Sequence, residues 1–151
     1  VGLRYFNIFG PRQNPLNPYA AVIPIFIAAA MQRKSPIING DGETSRDFTF
    51  VENAIQANIK AMLHTTDLTK HEVVNIAAGG RTTLNELWKL ITEIAGCPDL
   101  LPEYKAERPG DVRASLADIS KAGKLIGYDP IFSAKEGLKL AYEWYKNNPY
   151  V

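Results

Sequence analysis

The sequence predicts an α/β fold in one folded unit over residues 1–151, and three observations carry that expectation. Short apolar runs, "VGLRYF", "RDFTFV" and "EVVNIAA", each give way to a longer stretch with helical spacing of its apolar residues. No array of hairpins with tight two-residue turns is evident, which argues against an all-β arrangement. A length of 151 residues suffices for one hydrophobic core and is short for two.

Taken in order, Val1, Leu3, Tyr5 and Phe6 read as a buried strand closed by Asn7. No methionine, signal segment or capping turn precedes it, so the expectation is a C-terminal piece of a longer protein. A loop from Gly10 to Tyr19, rich in Pro and Asn, is longer than most connections, and such loops often carry function. Helical spacing follows from about Ala21 to Arg33, then an extended piece at Ile37 and Ile38. The turn "NGDGETS" supplies residues that tolerate positive φ, and "RDFTFV" alternates as a half-buried strand does. Ile55, Ile59, Met62 and Leu63 define the expected inner face of a helix over 51–64.

The second half repeats the alternation. "EVVNIAA" reads as a strand, and "TTLNELWKLITEIAG" as a helix with Thr82 or Thr83 near its N-cap and Gly96 at its stop. "LPEYKAERPGDVRASLAD" reads as extended, with an exposed turn at Pro109 and Gly110. Two helices close the chain, one from Asp118 or Ile119 to Leu125 and one from Ser133 to Lys146 with Leu138, Leu140, Ala141 and Trp144 inward.

Composition limits the function classes. With 46% hydrophobic residues, 22% charged residues and a formal charge of +1, nothing calls for nucleic acid or a membrane. The longest apolar run, from Ala20 to Met31, is interrupted by Pro24 and falls well short of the roughly 20 residues that span a bilayer. A single cysteine, Cys97, excludes an internal disulfide framework and fits a reducing, cytoplasmic setting. Its neighbours Gly96 and Pro98 offer no base or cation to activate a thiol. His64 and His71 stand apart, read as solvated, and give no metal-ligand spacing.

Arg46 and Arg108 are the candidate ligand residues. Each lies beside a glycine-containing turn and each is followed by an aspartate, in "SRDF" and "RPGD". A guanidinium presents a planar fork matching two phosphate oxygens, so two arginines from separate loops could clamp a diphosphate. Local Arg–Asp contacts at the surface fit the same residue types, and both readings stay open. Asn7 closes an apolar strand, a position where α/β proteins gather ligands, although an asparagine that merely turns the chain fits equally. Tyr142 and Lys146 share a helical face with Tyr-x-x-x-Lys spacing. A lysine in a last turn is favoured by the helix dipole anyway, so the pair reads as a coincidence of spacing.

Together "LRYFNIFGPRQ", "SRDFTFVEN" and "RPGDVRASLAD" resemble the C-terminal half of nucleotide-sugar epimerases of the extended short-chain dehydrogenase/reductase family. "FGPRQNPLNPYAAVIPIF" and "INGDGETSRDF" are most similar to the UDP-N-acetylglucosamine 4-epimerases. The resemblance covers essentially the whole chain. It implies the last sheet elements of a Rossmann-type NAD-binding domain followed by a small α/β substrate-binding domain.

Carried over by position, the resemblance places Phe6 beside the nicotinamide end of NAD and Asn7 on the substrate. It puts backbone at Ala21 and Val22 against the nucleotide, and Ile37 and Asn39 against uracil. Arg46 and Arg108 would grip the diphosphate and Asp111 the ribose, with Gln13 and Ser115 toward the sugar. The small Ser115 would leave room for an N-acetyl group. In the family's reaction a tyrosinate takes the 4-hydroxyl proton while NAD takes the hydride, and the keto sugar turns and is reduced from its other face. That tyrosine, its lysine and the glycine fingerprint precede "RYFN" in the family and are absent here, so the chain alone is expected to be inactive. The resemblance further implies a UDP-sugar as partner, UDP-GlcNAc/UDP-GalNAc or UDP-Glc/UDP-Gal, and a homodimer for the full-length protein. A 4,6-dehydratase, a UDP-glucuronate decarboxylase and a non-catalytic nucleotide-sugar binding module are the alternatives.

Overall fold

The computed structural model describes residues 1–15, 21–64 and 71–148. In chain order its elements are β1 (Gly2–Tyr5), β2 (Ile8–Phe9), α1 (Val22–Met31), β3 (Ile37–Asn39), β4 (Ser45–Arg46), β5 (Thr49–Phe50), α2 (Val51–Met62), β6 (Val73–Ile76), β7 (Thr82–Thr83), α3 (Leu84–Ala95), β8 (Glu103–Lys105), α4 (Ser120–Ile126) and α5 (Ala134–Asn147). Strands pair as β1–β6, β2–β5 and β3–β8, all parallel, and β4–β7, antiparallel. Parallel pairs need crossover connections, and here helices supply them, which is the α/β arrangement the sequence predicts.

Two apolar clusters hold the layers together. The larger buries Phe9, Phe26, Ile27, Phe50, Leu87, Trp88, Ile91 and Leu138 between α1, α3, α5 and β5. Phe26 meets Trp88 edge-on, with ring centroids 5.4 Å apart, and the indole N–H donates to the Leu100 carbonyl at 2.8 Å. Burying such rings contributes about 1.5–3 kcal/mol each, so this contact fixes α1 against α3. The smaller cluster packs Ala57 of α2 and Ala122 and Ile126 of α4 on Val74 and Ile76 of β6. α3 starts with a reciprocal capping box between Thr83 and Glu86 and stops at Gly96, as its sequence implies.

Three expectations need correction. The stripe Ile55, Ile59, Met62 and Leu63 lies outward, Met62 at 77% exposure, while Asn53, Ala54 and Ala57 face the core. The period is right and the side is wrong, because α2 sits close to its neighbours and small residues permit that approach. β1 has one neighbour among the described residues, which leaves Val1 and Tyr5 exposed rather than buried. On α5 the inner face is Leu138, Ala141 and Tyr145, whereas Leu140 is exposed.

Two polar anchors lie within the packing. Asn53, fully buried on α2, donates to the Phe132 carbonyl at 2.8 Å and accepts from the amides of Ile131 and Phe132 at 2.9 and 3.0 Å. The buried Tyr145 hydroxyl lies 3.1 Å from the Gly10 carbonyl and 2.9 Å from that of Gln13, tying α5 to the loop after β2.

Candidate functional site

A cavity of about 330 Å³ opens where β2, β3 and β4 end beside the start of α1. Its floor is apolar, from Ile23, Phe26, Ile38 and Phe48, and its polar rim carries Asn7, Asn39, Arg46, Arg108 and Asp111. α1 enters this space without a side-chain cap and without an acidic residue in its first turn. Its first amides therefore keep their donor capacity, and the helix dipole adds a positive bias at Ala21 and Val22. Pro24 lies in the first turn, where a missing N–H costs nothing.

Arg46 is held from two sides. One guanidinium nitrogen donates to the Ser45 carbonyl at 2.9 Å and to the Val112 carbonyl, and another lies 3.6 Å from the Asp111 carboxylate. The side chain is only 20% exposed, so these contacts orient the fork within the rim. Arg108 arrives on a different device. In "RPGD" the Asp111 amide donates to the Arg108 carbonyl at 3.3 Å across Pro109 and Gly110, with Gly110 at φ +83°. Proline at the second turn position and a left-handed glycine at the third describe a preformed reverse turn. Among the described residues nothing hydrogen-bonds or pairs with the Arg108 guanidinium.

Asp47 turns away from the cavity despite following Arg46. Completely buried, it accepts from the amides of Ala78 at 3.0 Å, Gly79 at 3.2 Å and Ala117 at 3.4 Å. Desolvation pushes its carboxyl up from the usual range, and the amide donors oppose that shift without cancelling it. Asp47 thus joins three chain segments directly beneath the arginine.

Of the sequence-predicted site residues, Asn7, Ala21, Val22, Ile37, Asn39, Arg46, Arg108 and Asp111 lie on this one cavity. Asn7 lines the cavity, and at φ +37° it turns the chain from β1 to β2, its side chain reaching the Asp47 carbonyl at 3.4 Å. Gln13, Ser115 and Phe6 do not line it. The Gln13 amide folds back onto its own loop, donating to the Ile8 carbonyl at 3.1 Å, and Ser115 sits against β4, its amide donating to the Ser45 carbonyl at 3.1 Å. Phe6, half-buried, follows β1, with its amide donating to Ile76 at 3.0 Å. Leu16 to Ala20, in the loop after β2, lie outside the described residues.

Tyr142 packs against the larger cluster, and burial raises its hydroxyl above its ordinary value, the opposite of what a tyrosinate base requires. Cys97 is buried and free. His64 is half-buried with Nε2 shielded from solvent, correcting its solvated reading. Among the described residues no group of His, Cys, Asp or Glu could hold a metal, and no helix is long and apolar enough to cross a membrane.

What sequence reasoning missed is Arg113. It makes a two-pronged contact with Asp41, at 2.9 and 2.6 Å, which draws the Asp41 carboxyl below the usual range. An arginine inside an extended-looking segment gives no local signal of a partner so distant in sequence.

Residues 1–77 match the family described as "NAD dependent epimerase/dehydratase family". A UDP-glucose 4-epimerase from Thermotoga maritima, solved with UDP-glucose, is 41% identical with a TM-score of 0.89, covering 98% of this chain and 46% of that one. A UDP-N-acetylglucosamine 4-epimerase from Methanobrevibacter ruminantium, solved with UDP-N-acetylmuramic acid, is 41% identical with a TM-score of 0.87, covering 97% and 46%. A UDP-N-acetyl-alpha-D-glucosaminuronate decarboxylase of Bacillus cytotoxicus is 30% identical over 149 residues, 95% of this chain and 45% of the relative. The chain thus spans about 45% of the length of the curated relatives it matches, and its α/β unit corresponds to the C-terminal portion of the solved structures. With the family matched over half its length, the chain belongs to the NAD dependent epimerase/dehydratase family.

Proposed function

We propose that this chain is the substrate-binding portion of a UDP-sugar 4-epimerase and that UDP-GlcNAc and UDP-GalNAc are its substrate pair. The observation that carries the reading is the meeting of Arg46, Arg108 and the uncapped start of α1 around one cavity with an apolar floor. Two guanidinium forks and the uncapped first turn of α1 suit a diphosphate, and Asp111 beside them suits a ribose hydroxyl. Ile37 and Asn39 at the end of β3 would face uracil, and Asn7 the hexose. Gln13 and Ser115 are assigned to the sugar end; neither lines the cavity, and the Gln13 side chain is already engaged by the Ile8 carbonyl, which leaves the hexose a loose hold. Firm nucleotide anchoring with a loosely held sugar is what a reaction that must turn its sugar over requires.

NAD supplies the hydride chemistry of this family, but this chain does not form a dinucleotide cradle. It has no glycine fingerprint, and Phe6 alone would touch the cofactor's reactive end. We assign NAD, the base and the lysine that supports it to the remaining part of a longer, homodimeric protein. On that reading the isolated chain binds nucleotide and does not turn it over.

The likeness to a decarboxylase favours a second reading, in which the same diphosphate grip serves a sugar acid. Product analysis of the complete protein separates the two. UDP-GalNAc formed from UDP-GlcNAc supports the proposal, while release of carbon dioxide from a UDP-uronate with no epimer formed would replace it.

A further inference from the structure

We infer that Asp41 and Arg113 form a latch that holds the 107–112 segment, and with it Arg108 and Asp111, over the cavity. They are positioning residues; the inference rests on reading the cavity as a diphosphate site. The segment is pinned at its ends by main chain. Gly40 donates to the Lys105 carbonyl at 2.8 Å on one side, and Ser45 to the Arg113 carbonyl at 3.0 Å on the other. Between those points its main-chain bond among the described residues is its own Arg108–Asp111 turn. Side chains must therefore hold it down.

Arg46 does so directly, and Arg113, whose own carbonyl is one of the anchors, reaches the segment through Glu107. Arg46 grips Val112 and Asp111 from inside, but a phosphate in the cavity would compete for that same guanidinium. Arg113 grips Asp41 from outside the cavity, with Glu107 at 3.9 Å from the same guanidinium. A ligand in the cavity leaves that contact intact. Its platform is rigid: Asn85 at the start of α3 donates to the Asp41 carbonyl at 3.0 Å, and its amide donates to the Gly42 carbonyl at 3.1 Å. Gly42 sits at φ +80°, where a Cβ would fall 2.0 Å from the Asn85 side-chain oxygen, so the turn is closely fitted to the helix. Both members of the pair are 54% exposed, and exposed pairs add little global stability. The contribution is local, keeping Arg108 poised so that binding does not have to order it.

The test uses the complete protein with Arg113→Ala, Asp41→Asn and the double variant. Asn at 41 keeps an oxygen for the Glu43 amide, which Asp41 now accepts at 2.9 Å, so the turn itself survives. Without ligand, amide hydrogen exchange of Asp111, bonded to the Arg108 carbonyl, and of Ser45, bonded to the Arg113 carbonyl, should quicken about tenfold in each single variant, with the melting temperature unchanged. UDP affinity by calorimetry should fall about tenfold, and the double variant should be no worse than Arg113→Ala, as coupled residues behave. Unchanged exchange in the single variants, or additive losses in the double, would overturn the latch. Failure of the unmodified protein to bind UDP would instead sink the reading of the cavity, while the exchange measurement would still decide the latch.

Discussion

Arg46 lies 3.6 Å from the carboxylate of Asp111, far along the chain, and its sequence neighbour Asp47 points the opposite way into the core. One contact therefore joins the "SRDF" and "RPGD" segments. Arg46 belongs to one motif and its acidic partner to the other, so the rim of the cavity is assembled only when both segments are in place.

From this arrangement Arg46→Ala and Arg108→Ala should both weaken UDP binding, each by about 1.5–3 kcal/mol, the range for hydrogen bonds to charged groups. They should differ in one respect. Arg46→Ala also releases the Val112 carbonyl and the Asp111 carboxylate and should speed exchange of the Asp111 amide, whereas Arg108→Ala should leave the segment as ordered as before. Calorimetry with UDP, paired with exchange on the ligand-free protein, checks both halves.

Asp47→Asn should show a pH-dependent cost. A carboxyl whose folded pKa is raised stabilises the protein fully below its unfolded value and loses that contribution as pH rises through the folded value. The asparagine variant lacks this titration. Its stability deficit, measured by urea unfolding, should be largest at acid pH and should narrow as pH climbs above the ordinary carboxylate range. A gap that widens with pH would reverse the assignment of burial as the dominant influence.

Asn53→Ala removes partners from the Ile131 and Phe132 amides and the Phe132 carbonyl. The expected loss is about 3 kcal/mol, the upper end for leaving buried polar groups unpaired. Nucleotide affinity at low temperature, where the fold persists, should be unchanged, since Asn53 does not line the cavity.

Tyr142→Phe in the complete protein should leave turnover unchanged. Its side chain packs against the larger cluster, and burial raises its hydroxyl above its ordinary value. A large fall in turnover with substrate affinity intact would restore the Tyr-x-x-x-Lys pair as chemistry.

The features legible in the sequence share a physical basis. The helix over Leu84–Ala95 is readable because periodicity and end signals agree, down to Thr83 and Gly96, whereas that over Val22–Met31 carries no side-chain cap and is marked by its long apolar run alone. The strands were less so: "RDFTFV" resolves into two-residue pieces around the buried Asp47, and no propensity rule marks a carboxylate as a hub for three distant amides. Periodicity located the stripes of α2 but could not say which faced inward, since that depends on how near β6 and α4 come. Eight residues of the cavity lining, Arg46 and Arg108 among them, were legible from the motifs and the resemblance they carry, whereas Thr44, Leu84 and, beside the cavity, Arg113 were not, because their places depend on partners that only the fold brings near.

The Trp88–Phe26 contact has an optical consequence. Trp88 is 3% exposed with its indole N–H bound to a carbonyl, and it sits between the helix that opens on the cavity and the helix that carries Asn85. Trp144 on α5 packs at the edge of the same cluster, edge-on to the ring of Tyr145 with centroids 5.1 Å apart, and the Tyr145 hydroxyl holds the Gln13 loop. The two tryptophans thus report on one apolar cluster from two sides, Trp88 from the helices beneath the cavity and Trp144 from the helix that ties down the Gln13 loop.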